Sequence, residues 1–245
     1  MAKESGLGDR LLIGGYDLSG DIGAVDKVAG GISTLDVTAI NKSAMERIGG
    51  LRDGGIDFTA YFNPAAAQAH PVLSALPTTD VQVSYLRGTT LGNAAASLVA
   101  KQVTYDGNRG TSGEFTFKVA TVANGYGLQW GTQLTAGLRT DTAATNGTGV
   151  DLTTVSTAFG WTGFLHVTAF TGTSCTVTLQ DSADNSSWAN LTGGAFTAAT
   201  GLTTQRLEGG ATATVRRYVR AITSGTFTSC TFAVTFVRNE TAVTY

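Results

Sequence analysis

The chain has 245 residues, 42% hydrophobic and only 14% charged, with a formal net charge of −2 at neutral pH. That length suits one large all-β domain or two of ordinary size. The weak acidic balance excludes a general basic field for holding nucleic-acid phosphate, and 32 glycines against 3 prolines favour many strands joined by glycine turns.

Residues 1 to about 10 read as a flexible arm without the apolar run of a signal peptide. No later window approaches the length of a membrane span. Leu11–Leu18 is expected as a first strand, followed by a glycine-rich turn region to Gly31. Asp17, Asp21 and Asp26 fall close together here and raise a calcium loop. The loop's required glycine and closing bidentate glutamate are missing, so separate solvated carboxylates are expected.

Ile32–Ile40 and Ile56–Phe62 are expected as strands flanking a long polar loop, Ala39–Gly55. In the second strand Ile56, Phe58, Ala60 and Phe62 alternate with Asp57, Thr59 and Tyr61, the period-2 pattern of a half-buried strand. The loop holds Lys42, Glu46, Arg47, Arg52 and Asp53, with glycine pairs at 49–50 and 54–55 acting as hinges. Such a segment cannot build its own core, so it is either a disordered tip or a contact surface. In the second case Ile48 and Leu51 are the residues a contact would bury. Pro64–Leu76 is the one expected helix, with Asn63 as N-cap, Pro64 at its first position and Pro71 ending or kinking it early. His70 has no partner at metal-ligand spacing and is read as structural.

Val81–Arg87, Ala96–Tyr105, Glu114–Val122 and Leu128–Leu134, the last around Trp130, follow as strands. The segment DGNRGTSG between the second and third of these is a hairpin turn. Residues 137–151, GLRTDTAATNGTGVD, lack apolar periodicity and form the best linker in the chain. The expected division is therefore residues 1–145 and residues 150–245. The second half is nearly helix-free, with strands near 164–170, 175–181, 187–191, 204–207, 214–222 and 229–238, a spacing that signals a β-sandwich of roughly 95 residues. Cys175 and Cys230 sit in similar contexts, TSCTVTL and TSCTFAV, and read as small buried hydrophobes kept reduced. The N-x-S/T triplets at Asn41, Asn146, Asn185, Asn190 and Asn239 are chance matches in a Thr-rich chain without a secretory signal.

Catalytic chemistry finds no footing. There is no GxSxG, P-loop, HExxH or CxxC, and the two histidines fall in different halves. No catalytic residue, metal ligand or cofactor is assigned, and the chain is not read as an enzyme. One binding site competes: Trp188, Tyr218 and Arg216 in the second half could form an aromatic and polar platform for a glycan. The preferred reading is that Trp188 plugs the sandwich and the arginines pair with Asp181 or Glu208.

The first half resembles the major tail tube proteins of long-tailed, siphovirus-type bacteriophages, particularly those of actinobacteria. LDVTAINKSAMERIGGLRDGGIDFTAYFNP (35–64), AHPVLSALP (69–77), LVAKQVTYDGNRG (98–110) and ANGYGLQWGTQLTAGLRTDTAATNGTG (123–149) carry the resemblance. SADNSSW and RRYVRAI in the second half look like the jelly-roll or immunoglobulin-like modules often appended to tube subunits. The resemblance implies a mainly β virion protein: a tail-tube β-barrel or sandwich domain with one short helix, then a C-terminal sandwich decorating the outside. It implies six-membered rings stacked helically around a tape-measure protein and ended by terminator and tip proteins. DNA would pass through the lumen without sequence-specific binding or membrane insertion. Assembly would take place in the host cytoplasm and the product would reside in the virion tail. The 39–55 loop would reach the adjacent ring, through Lys42, Glu46, Arg47, Ile48, Leu51, Arg52 and Asp53. The rival expectation is a monomeric glycan-binding β-sandwich, a decoration or adhesion component of a phage particle.

Overall fold

A computed structural model describes residues 5–242. The chain is mainly β and antiparallel, with one short helix. In chain order the elements are β1 (Arg10–Ile13), β2 (Tyr16–Asp17), β3 (Ile22–Asp36), β4 (Arg47–Tyr61), α1 (Ala69–Leu73), β5 (Val81–Leu86) and β6 (Ala94–Gln102). They continue with β7 (Asp106–Arg109), β8 (Phe115–Val119), β9 (Thr121–Ala123), β10 (Gln129–Gln133), β11 (Arg139–Asp141) and β12 (Val150–Asp151). The last four are β13 (Trp161–Ser182), β14 (Trp188–Ala195), β15 (Thr203–Glu208) and β16 (Tyr218–Arg238).

The chain divides into two compact units that are discontinuous in sequence. The larger takes residues up to 20, 82–97 and those from 130 onward; the smaller takes 21–81 and 98–129. The segment 137–151, expected as a linker, instead supplies β11 and β12, both paired to β16 in the larger unit. Its polar, aperiodic composition hides two- and three-residue strands too short to show a period. The first-strand expectation also splits. Gly14 and Gly15, both at positive φ, turn β1 back onto β2 in a two-residue hairpin. Residues 1–4 of the expected arm lie outside the described residues, while Asp9 is held by Arg87 and the Gly88 N–H.

In the larger unit, strands expected as separate hairpin arms fuse. β13 and β16 pair over nearly their whole lengths, from Trp161 opposite Arg238 to Ser182 opposite Tyr218. TGTS and TSGTFTS, which separate the expected strands, are irregularities inside this ladder. Gly172 and Gly225, both at positive φ, sit tight against Phe227 and Ser174 respectively. A bulge bends a strand without reversing it, which is why the turn signal misleads. Trp161, Leu165, Val177, Leu179, Phe232 and Phe236 fill the core with Cys175 and Cys230, both buried and free. Beside this core runs a buried polar chain, His166 Nε2 to Ser84 Oγ (3.0 Å), Ser84 to Ser97 (2.8 Å) and Ser97 to Thr235 (2.8 Å).

The smaller unit is built on a four-stranded sheet in the order β3-β4-β8-β7. Ile56, Phe58 and Ala60 of β4 and Phe117 and Val119 of β8 are buried, as their alternation predicts, but Phe62, expected to continue that face, lies past the end of β4 and is exposed. The helix is shorter than expected. Residues 64–68 form turns, and Pro71 lies in the first turn of α1, where its missing N–H costs nothing. Asn63 is not the helix cap. Its amide donates to Asp21, whose other oxygen accepts the Ala69 N–H at 2.9 Å. Asp21 is thus buried and engaged and Asp17 pairs with Arg10, whereas Asp26 is exposed, as expected, and accepts from the Thr59 hydroxyl. DGNR is also not a turn: it is β7, paired with β8, and the reversal is left to residues 110–114.

Candidate assembly interface

The Ala39–Gly55 segment is only partly a loop. β3 and β4 pair all the way out, with Gly31 opposite Asp53, Ile32 opposite Arg52, Leu35 opposite Ile48 and Asp36 opposite Arg47. The true tip is residues 37–46, closed by the Val37 N–H to Glu46 carbonyl bond at 2.9 Å. Fifteen residues per strand make a ribbon about 50 Å long. β8 pairs with β4 only at Phe58–Tyr61. Beyond that, among the described residues, the outer half of the ribbon has no strand beside it in the sheet. A two-stranded ribbon of this kind is marginal by itself.

The glycine pairs are not hinges. A Cβ on Gly30 or Gly54 would come within 2.8 Å or 2.6 Å of Leu128 Cβ, and one on Gly55 within 2.5 Å of the Thr121 carbonyl oxygen. Segment 121–128 crosses the ribbon at this point, and only a residue without a side chain admits another backbone so closely. A groove of about 370 Å³ opens along the crossing, between Lys27, Ile32, Asp53 and Thr121.

This crossing sorts the sequence-predicted residues. Arg52 lies at it, its Cβ 3.0 Å from where a Gly127 side chain would begin, and Asp53 turns its carboxylate onto the Gly54 N–H at 2.7 Å. Neither belongs to the tip, a correction to the single-loop expectation. Lys42 and Glu46 do, and they pair with each other at 2.9 Å. Arg47 donates to Met45 Sδ and has no carboxylate partner among the described residues. Ile48 and Leu51 are exposed, Leu51 by 85%. The expectation missed Ile32, Leu35, Val37, Ile40 and Met45, all exposed on the same ribbon, with Ile40 fully so. The signal was present in ISTLDVTAI, which sets apolar residues at 32, 35, 37 and 40 among polar ones. Contiguous exposed apolar residues on this scale mark a surface meant for a partner. Asp36 accepts from the Thr38 hydroxyl and N–H, which holds its carboxyl below the usual range and stiffens the turn into the tip.

Trp188 and Tyr218 of the expected glycan platform flank Ser182 in the ladder, and all three platform residues are engaged within the chain. Arg216 is spent on Asp181, with guanidinium bonds at 2.7 Å and 3.0 Å to its carboxylate. Trp188 is covered by Arg220 at 4.2 Å from the ring centroid and packs onto Gly149 on the same unit. Tyr218 is overlaid by Arg217, itself held by Asp151. Among the described residues no three His, Cys, Asp or Glu side chains gather as metal ligands, and no helix is long and apolar enough to cross a membrane.

No family model matches the chain, and no curated protein matches it. Among solved structures it is similar to a chain in the virion of a native gene transfer agent particle, at TM-score 0.41 and 15% identity, over 52% of this chain and 98% of that one. It is also similar to the SPP1 Dit (gp 19.1) protein, described as a hub adsorption apparatus of phages infecting Gram-positive bacteria, at TM-score 0.36 and 12% identity, over 94% and 99%. A chain of the phage p2 baseplate in its activated conformation with Sr gives TM-score 0.33 and 10% identity, over 95% and 99%. At these scores the functional reading stands on the chain's own geometry, which is that of a sheet with free edges continued into an exposed apolar ribbon.

Proposed function

We propose that this chain is a structural subunit of a phage-type tail, which closes into rings through the edges of its four-stranded sheet and stacks rings through its β3–β4 ribbon. The observation that carries this reading is the sheet itself. Its order is β3-β4-β8-β7, every neighbouring pair antiparallel, with β3 and β7 left as free edges. Because the strand number is even and the directions alternate, β7 of one copy meets β3 of the next antiparallel, so the ladder continues across the joint without a fault. Edges left open are an aggregation hazard, and a ring satisfies their backbone groups. Six copies per ring is the number the sequence resemblance implies.

In such a ring the buried face of Ile56, Phe58 and Phe117 belongs to the wall, and the opposite face turns inward. It carries Asp57, Thr59, Thr116 and Lys118 (Thr59 lies opposite Lys118), a surface of mixed sign that a polyanion could slide past without sticking. The rest of the reading concerns partners: a tape-measure protein inside, terminator and tip proteins at the ends, and DNA in transit.

Electron microscopy of the purified protein across a concentration series tests the proposal. Hollow rings or tubes are expected, and particles that stay at 25 kDa throughout would overturn it. Two edge variants sharpen it. N–H groups alternate in direction along a strand, so one of Asn108→Pro and Arg109→Pro removes an outward donor of β7 and should leave a folded monomer that forms no rings. Arg47→Glu should permit rings and stop their stacking; normal-length tubes from that variant would remove the tip from the stacking contact.

A further inference from the structure

The far end of the same sheet carries a second exposed apolar surface. β4 runs from the tip at Arg47 to Tyr61, and there Phe62 and Phe115 stand side by side, ring centroids 5.3 Å apart and each 41% exposed. They rest on a supported base. His70 lies 4.7 Å from Phe62, Tyr105 stacks on Phe117 at 4.1 Å, and the Tyr105 hydroxyl bonds His70 Nδ1 at 2.9 Å. The result is an aromatic shelf whose supports are locked before anything docks, the condition under which little ordering cost attaches to binding.

We propose that the tip of the β3–β4 ribbon in one copy docks on the Phe62–Phe115 shelf of the next copy. This rests on the stacking reading above and names the surface that receives the tip. Three observations favour a second copy over any other occupant. Tip and shelf lie at opposite ends of one strand, about 46 Å apart at the usual rise per residue, so joining them is a head-to-tail contact that repeats without limit. Both surfaces are apolar and occur once per chain, so their numbers match in any stack. Their charges are also compatible: Arg47 has no carboxylate partner among the described residues, and the shelf carries charges of both signs, Glu114 next to Phe115 and Arg109 opposite Phe115 in the ladder. A guanidinium arriving with the tip can pair with Glu114 or lie over a Phe face.

The test uses the full chain and two exposed positions, Ile40→Asp on the tip and Phe115→Ser on the shelf, followed by sedimentation and electron microscopy. Each variant alone should stop at rings where the wild type continues to tubes, with at least a tenfold loss of pelletable material. Mixed together they should form two-ring stacks, because the Phe115→Ser tip is intact and the Ile40→Asp shelf is intact. Separately, Ile40→Cys with Phe115→Cys, oxidised with diamide, should give a covalent ladder of multimers that neither single cysteine variant gives. Wild-type-length tubes from either variant, a mixture no larger than its components, or an absent ladder would each overturn the shelf. Failure of the ring reading looks different: the wild type itself would stay monomeric.

Discussion

The molecule contains two long antiparallel ribbons with opposite fates. β13 and β16 run for 22 and 21 residues, and their apolar side chains, from Trp161 to Phe236, are buried within the chain's own core. β3 and β4 run for 15 residues each, and Ile32, Leu35, Ile48 and Leu51 on them remain exposed. Residue types alone do not separate the two, since both mix apolar with polar residues and both contain glycines at irregular points. What differs is whether the chain supplies a covering layer. In the larger unit β14, β15, β11 and β12 pair alongside the ribbon and its apolar side chains meet in one core; among the described residues the outer half of β3–β4 is met by the crossing at 121–128.

The largest expected effect comes from cutting into the covered ribbon. Phe232→Ala removes a fully buried ring and should cost about 3–5 kcal/mol in urea unfolding, whereas Leu51→Ser on the exposed ribbon should stay within about 0.5 kcal/mol of wild type. Comparable losses at both sites would erase the distinction.

Acid should weaken the larger unit next. His166 is buried, with its Nε2 on the Ser84 hydroxyl, and burial lowers its pKa from 6.5 to about 3. The unfolded chain therefore binds the proton first, so stability is full above about pH 6.5 and falls as pH drops toward 3. At pH 4.5 this group alone should remove about 2–3 kcal/mol. The difference in unfolding free energy between pH 7.5 and 4.5 should be smaller in His166→Gln; an unchanged difference would clear His166 of the role.

A smaller cost is expected at the crossing. Gly54→Val would drive a side chain into Leu128 and should cost about 1–3 kcal/mol, with faster hydrogen exchange in 121–129. The least effect on stability belongs to Leu35→Ser. It should leave the melting curve within about 0.5 kcal/mol of wild type while lowering the amount of protein that sediments as tubes.

Sequence alone determined the β class, the alternation that buries Ile56, Phe58 and Ala60, the burial of Cys175 and Cys230, and the interest of the segment around Arg47. Each follows from residue type and period, which act over a few neighbours. Tertiary structure decided the rest. Glycine in a strand-rich chain can mark a turn, a bulge or a crossing, and only the other backbone tells which. At Gly172 it was a bulge, at Gly54 a crossing, and both had read as turns or hinges. Likewise, 82–97 joins the strands that come after residue 130 because sheet pairing rewards edge complementarity over distance along the chain. Whether an apolar residue is core or surface is also a property of what covers it, and among the described residues nothing covers Ile40 or Leu51.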